Sequence, residues 1–525
     1  MKKYILSILF IVGIITVSNS QNLKKNLDLE VGKPINLKAT KAYLNVIEGE
    51  NGTFYAVNYT PREIKHGIQI LEFDRNMNET KRSNIDLKFN KDELSVREVF
   101  FNTDRITLIL SSEYKKGESV EVSAYNIDPS SLKPISSPKL LLQFVSESRF
   151  ANWSSLQTMF SRDMSKILLF RNDKAGKKEK TTYTINVFDA SDNFSPIREQ
   201  SYQSNEIDKL EDIANVKVNN EGGVYLMAQI FNEKRKTIVD GKVNYKFKLK
   251  EFSKEGKSMN SVDLDLGDEF ITQISIAINQ NDDIVCTGFY SSKTSFGIKG
   301  CFYKLLDHKS KTLIKESKKE FSLDFITSEM SEKAAKKVKK KKAKGKSVEL
   351  ASFQLRDIVL DEDVGVIQVA ERYYVRSHTY TDANGVSHTY YTYHYDDIIV
   401  ISISPEGEIE WARKIQKRQS SRSPNSFMSY HLSIQGDKLY FFFNGNAESL
   451  LPNKKKSHYW STGKKAAGII VEVNEEGYMK KDIFYDYAGH RAFALIGRTV
   501  DFDDELIFMS QVKKEIKFMK LKFKD

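Results

Sequence analysis

An all-β fold built from a repeated four-strand unit is predicted by three observations on the 525-residue sequence. Strand-like runs rich in Val, Ile, Tyr and Phe recur along the chain, each ending in a polar turn. Only nine prolines interrupt the sequence, and 11% of its residues are aromatic, as suits an ordered β-rich chain. The clearest marker, a strand followed by a tight turn, appears seven times at intervals of roughly 50–70 residues, with one wider gap.

The seven markers are IQILEFDRNMNE (68–79), VEVSAYNIDPSSLK (120–133), YTINVFDASDN (183–193), YKFKLKEFSKEGK (245–257), CFYKLLDHKSKT (301–312), IIVISISPEGEIEW (398–411) and IIVEVNEEGYMKK (469–481). Their turns carry Asp, Asn, Ser, Pro and Gly, which tolerate tight-turn dihedrals. A preceding apolar run accompanies each: TFYAVNY, ITLILSSEY, KILLFRND, VYLMAQIF, DIVCTGFY, VGVIQVAERYY and KLYFFFNG. The C-terminus offers an eighth, incomplete set, AFALIGRTVDFDDELIFMSQV and EIKFMKLKF, and the N-terminal NLDLEVGKP can supply its missing strand. Joining both ends in one sheet removes exposed strand edges. The pattern predicts a β-propeller of eight four-stranded blades, with seven as the alternative, in a single domain over 21–525. An outer-membrane barrel is disfavoured because runs such as YKFKLKEF carry charge on both parities.

The first 20 residues read as a signal peptide. Lys2 and Lys3 precede an apolar stretch from Tyr4 to Val17, and the small residues Ser18 and Ser20 stand before Gln21. The apolar run is shorter than the ~20 residues that span a bilayer, and no further long apolar stretch follows. The expectation is an exported chain, periplasmic rather than extracellular, without a transmembrane segment and monomeric.

The formal net charge of +11 is local. The stretch KAAKKVKKKKAKGK (333–346) holds nine lysines and no acid, and the leader holds two more, which leaves the remainder neutral. Nucleic-acid binding over a broad basic surface is therefore excluded from the expected functions. Within 323–352, Glu329 and Glu332 sit early and the lysines, Lys339, Lys340, Lys341 and Lys342 among them, sit late, which suits a helix dipole. Met330, Ala334 and Val338 form a thin apolar stripe, and Gly345 marks a stop. Such a helix is either a solvated rim element or a contact for an acidic protein or an anionic envelope glycan or lipid.

Two further insertions are expected on the same face, where loops on a rigid scaffold carry binding residues. The segment 372–397 reads as a long hairpin about Asn384-Gly385, a strong two-residue turn signal. That turn sets His378 opposite Tyr391, Arg376 opposite Tyr393 and Tyr374 opposite Tyr395, with Val369 opposite Val400. One face then carries Tyr374, Arg376, His378, Tyr380, Tyr391, Tyr393 and Tyr395, and the other His388 and His394. Those two histidines lie ~20 Å apart at ~3.3 Å per residue, and His378 points away from them, so no metal site is expected. The tyrosines either stabilise the hairpin across its strands or form a stacking platform. The basic loop 444–468 adds Lys454, Lys455, Lys456, Lys464, Lys465, Tyr459 and Trp460.

Cys286 and Cys301 are the only cysteines, in adjacent strand-like runs. They are either a disulfide, which export permits, or two small buried side chains. No catalytic motif is present: there is no G-x-S-x-G elbow, and the acidic turns DEDVG (361–365) and DFDDE (501–505) lack calcium-loop spacing. No cofactor is expected. A non-enzymatic binding or scaffold module is favoured. The alternative is a glycan- or peptide-processing enzyme with acids in the propeller channel.

The segments SEMSEKAAKKVKKKKAKGKSVEL, RDIVLDEDVGVIQVAERYY and YYVRSHTYTD, then TYYTYHYDDIIVISISPEGEIEWARKIQKRQSS and KLYFFFNGN, resemble a family of exported β-propeller-like proteins of Bacteroidota with no known activity. The resemblance covers roughly residues 320–450. It implies an envelope setting and the same fold, and it brings no catalytic residues.

Overall fold

The computed structural model describes residues 23–35, 43–59, 67–86, 94–102, 104–112, 117–145, 156–173, 180–252, 259–292, 297–328, 330–361, 365–383, 385–450, 459–460, 465–487, 493–502, 504–512 and 515–524. The leader, Glu329, Asn384, Lys454–Lys456 and Lys464 lie outside these residues.

Antiparallel sheets follow one another along the chain, eight of them with four or five strands among the described residues. Each apolar run found in the sequence is a central strand. Phe54–Tyr59, Ile284–Ser291 and Ala466–Val473 are buried along their whole length, because both faces of each sheet are covered. Fourth strands such as Leu313–Glu320 are largely exposed and polar. The last sheet joins the two ends of the chain: Leu27–Val31 pairs with Glu515–Phe523, Leu29 opposite Leu521.

The packing closes a cycle. One core cluster lies between each sheet and the next, for example Phe170, Tyr183, Leu226 and Phe252 between the third and fourth. The final cluster joins last to first, where Phe54 and Phe73 pack on Phe518 with centroids 4.8 and 4.9 Å away. The architecture is all-β and propeller-like.

Turn chemistry fixes the repeat. Asp74, Asp128, Asp189 and Asp307 stand at the ends of third strands and accept hydrogen bonds from backbone N–H groups two to four residues on. The Ser131 and Ser130 hydroxyls hold the Asp128 carboxyl down to about 2.

Cys286 and Cys301 are free thiols. Cys286 stands opposite Lys304, and Cys301 opposite Phe289. They are thus three residues out of register, ~10 Å along the strands, and on opposite faces. One packs between the fourth and fifth sheets, the other between the fifth and sixth. The disulfide reading is corrected: the offset exceeds the Cα separation a disulfide spans. Burial pushes both thiols up to about 12.

Candidate functional site: the projecting hairpin and its foot

The outgoing strand Gly365–Thr381 and the returning strand Ser387–Ile403 are each 17 residues long. Their inner halves belong to the sixth sheet. The flanking strand Phe353–Asp361 stops at Phe353, opposite Arg372, and the hairpin continues beyond it.

Val369 stands opposite Val400, the predicted register, but the outer half is shifted by one. Tyr374 faces His394, Arg376 faces Thr392, His378 faces Tyr390 and Tyr380 faces His388. Two irregularities compensate each other. The tip is wider than a two-residue turn: Asp382 N–H donates to Val386 O at 2.9 Å and Gly385 N–H to Asp382 O at 3.0 Å, with Gly385 at φ +78°. A bulge between Glu371 and Tyr373 restores the inner register.

The shift redistributes the predicted platform. Tyr374, Arg376, His378 and Tyr380 share one face with His388, Tyr390 and His394, while Tyr391, Tyr393 and Tyr395 lie on the opposite face with Tyr373. On the first face the rings stack across the strands. Tyr374 on His394 is 4.5 Å between centroids, His378 on Tyr390 is 4.9 Å and Tyr380 on His388 is 5.2 Å. Arg376 lies over Tyr374 at 5.1 Å and Arg422 over Tyr390 at 5.5 Å. The second face carries hydroxyls, with Thr379 bonded to Thr389 at 2.9 Å and Thr381 to Ser387 at 3.2 Å.

All three histidines therefore share a face, contrary to the expected split. His378 Nε2 bonds Thr392 at 2.7 Å and His388 Nε2 bonds Asp382 at 2.8 Å. His394 is buried, and among the described residues neither of its ring nitrogens has a hydrogen-bond partner. Burial holds its pKa below the ordinary imidazole value, against the pull of Asp396. The one group of three metal-ligating side chains among the described residues is elsewhere, at Asp283, Asp307 and His308. There the Asp307 carboxylate already accepts the turn's own N–H groups.

The hairpin is braced within its own sheet and by residues that follow it in the chain. Gln419–Ser421 adds a short strand against Tyr393–Tyr395. Tyr459 meets His394 edge-on at 6.4 Å and lies under Arg418 at 5.6 Å. Trp460 N–H donates to Arg418 O at 2.9 Å, and its ring is packed by Phe427 and Phe493. Lys465 pairs with Glu448.

At the foot lies a buried charge network that the sequence reading missed. Lys417 Nζ donates to Glu371 at 2.7 Å, Tyr395 O at 2.9 Å and Gln419 at 3.1 Å. Glu371 also takes Ser429 Oγ at 2.9 Å and Arg356 at 3.2 Å. Burial pushes the Lys417 pKa down, and Glu371 opposes the shift. The signal was a lone acid in the apolar run VIQVAERYY, but its partner lies 46 residues away. Above this floor a cavity of about 690 Å³ is lined by Arg356, Asp357, Tyr373, Tyr395, Ser429 and Tyr430 among others. The Tyr430 hydroxyl donates to Asp357 at 2.6 Å. Burial, then the Asp357 charge, raises its pKa well above the ordinary phenol value.

The lysine segment is helical. α1 spans Leu323–Thr327 and α2 spans Glu332–Ala343, with Ser331 as the α2 N-cap. Gly345, at φ +68°, ends α2: its N–H bonds Lys342 O and the Lys346 N–H bonds Lys341 O, a Schellman closure. Met330 and Val338 pack against the core between the fifth and sixth sheets. Lys339, Lys340, Lys341 and Lys342 are exposed. Lys414 Nζ anchors the pair to the sixth sheet through Phe325 O at 3.0 Å.

No family model matches the chain, and no curated protein does. Solved structures show likeness at low identity. The chain is similar to the WD40 domain of SCAP from fission yeast at 7% identity and a TM-score of 0.36, covering 96% of this chain and 97% of that one. It is similar to the polysaccharide lyase Uly1 at 8% identity and 0.35, covering 91% and 89%. It is also similar to prolyl oligopeptidase B from Galerina marginata at 9% identity and 0.37, covering 94% of this chain and 56% of that one. No helix among the described residues is long and apolar enough to cross a membrane.

Proposed function

We propose that the chain is an exported, eight-bladed β-propeller that acts as a binding module of a bacterial envelope and engages an acidic partner. The cycle of cores supports the ring and the blade count. One observation carries the function: an overlong hairpin, braced by Gln419–Ser421 and Tyr459, presents stacked Tyr and His rings with Arg376 and Arg422 laid over them. A rigid aromatic surface loses little entropy on binding, and guanidinium groups on aromatic faces suit carboxylate or phosphate. The exposed lysines of α2 add positive charge to the same partner's field.

The processing-enzyme alternative has less support. Asp357 and Asp501 line one cavity of about 570 Å³, but Asp357 is bonded to Tyr430 and Asp501 to His431 at 2.7 Å.

The test is retention of the mature chain on immobilised polygalacturonate and on polyglutamate over a salt gradient. Retention that weakens with salt, and weakens further in Arg376→Gln/Arg422→Gln, supports the reading. Passage through both matrices at low salt contradicts it.

A further inference from the structure

We propose that the cavity at the hairpin's foot and the hydroxyl-bearing face above it form a second binding site, for a neutral oligosaccharide. This site lies across the hairpin from the aromatic–cationic face and does not depend on an acidic partner.

The cavity has the size and chemistry for a sugar ring. Its volume of about 690 Å³ falls in the range of small-molecule pockets, which are walled by apolar and aromatic groups with few placed polar ones. Tyr373, Tyr395 and Tyr430 offer aromatic surface for the C–H face of a pyranose. Arg356 offers donors and Asp357 acceptors, the Ser426 hydroxyl beside them can meet hydroxyls in either role, and the Ser429 hydroxyl, which donates to Glu371, can accept.

These groups are held before any ligand arrives. Arg356 is pinned between Glu371, whose side chain is 0% exposed, and the Tyr373 ring at 5.2 Å. Ser429 sits at φ +70°, a strained conformation for a non-glycine residue. Its N–H donates to Gln419 at 2.8 Å and its hydroxyl to Glu371. A β-bulge at Arg356, between Leu355 and Asp357, accounts for two consecutive residues lining one cavity. Bulges recur at Arg97, Ala214 and Thr272 in the first strands of other sheets. The kink thus belongs to the fold, and the Arg-Asp pair at this cavity to this sheet.

The hairpin face above the cavity selects the charge class. From Tyr373 to Thr381 and from Ser387 to Tyr395 it carries Val375, Ser377, Thr379, Thr389, Tyr391 and Tyr393, none of them charged. On the returning strand Ser387, Thr389, Tyr391, Tyr393 and Tyr395 put a hydroxyl at every second position, ~6.6 Å apart. A chain leaving the cavity along this strand meets hydroxyls and phenols, and a polyanion finds no countercharge on this face.

The experiment is saturation-transfer NMR and titration calorimetry on the mature chain with cellohexaose, maltohexaose and mannohexaose. Hexagalacturonate and an uncharged Ser/Thr-rich peptide are the comparators. At least one neutral hexasaccharide is expected to bind. Arg356→Gln should weaken it about tenfold or more, the loss of one charged hydrogen bond. Thr389→Arg, at an exposed position outside the core, should weaken it too, and serves if Arg356→Gln fails to fold. Arg376→Gln should leave it unchanged, which separates this site from the polyanion surface. Absence of binding to all three sugars, tighter binding of hexagalacturonate or the peptide, or indifference to both Arg356→Gln and Thr389→Arg would overturn the proposal.

Discussion

Tyr374 and His394 lie flat against each other across the hairpin, centroids 4.5 Å apart and planes 8° apart, while the Tyr374 hydroxyl donates to Asp396 at 2.9 Å. This pair reports the outer register directly. A double-mutant cycle with Tyr374→Leu and His394→Leu should show coupling of about 0.5–1 kcal/mol in urea unfolding. Coupling between Tyr374 and Tyr395 instead would return the hairpin to a two-residue turn.

His394 should make stability depend on pH on the acid side. Its folded pKa is depressed, chiefly by burial, so between that value and the ordinary ~6.5 the unfolded chain binds the extra proton. Stability contributed by the neutral ring is complete above ~6.5 and falls as pH drops toward the folded value. His394→Phe should flatten the melting temperature over that window. An unchanged slope would show that His394 titrates alike in both states.

Removing Lys417 should be costly. The Lys417 and Glu371 side chains are 1% and 0% exposed, and Lys417→Met leaves the carboxylate with Arg356 as its remaining cation. A loss of about 3 kcal/mol is expected, the low end for a broken buried pair. Lys417→Met/Glu371→Leu should recover part of it. A double variant no more stable than the single one would mean the carboxylate is not the source of the loss.

The thiols should be inert until the chain unfolds. Cys286 and Cys301 are both 0% exposed and unpaired. Alkylation under native conditions should modify neither, and after denaturation both, with no effect of reductant on the melting temperature. A mass lighter by two hydrogen atoms in the oxidised protein would contradict the structure.

Much of the fold was legible because it is local. Runs such as KILLFRND and IIVEV are apolar without alternation, and a polar turn with Asp, Asn, Ser, Pro or Gly follows each third strand, so strands and sheet order follow from composition and punctuation. The inner hairpin register, Val369 opposite Val400, was legible for the same reason. The outer register was not. It depends on the bulge at Asp396–Asp397, opposite Arg372, and the wide tip, two one-residue shifts that cancel and leave no trace in hydrophobic pattern. The paired runs holding Cys286 and Cys301 were readable as neighbours, but their three-residue offset was not. Arg356, Asp357, Lys417 and Tyr430 were missed because their partners are distant in the chain, Arg356 and Glu371 meeting only through sheet pairing.

The most direct test of the binding-face account is site-specific photo-crosslinking from the hairpin in the native envelope. A photoreactive phenylalanine at Tyr380 or Tyr390, which are 55% and 41% exposed, is compared with one at Ile135, which is 53% exposed on the second sheet. The account predicts a discrete crosslinked product from the two hairpin positions, lost in Arg376→Gln/Arg422→Gln and absent from Ile135. Equal labelling from all three positions, or none from the hairpin, would contradict it.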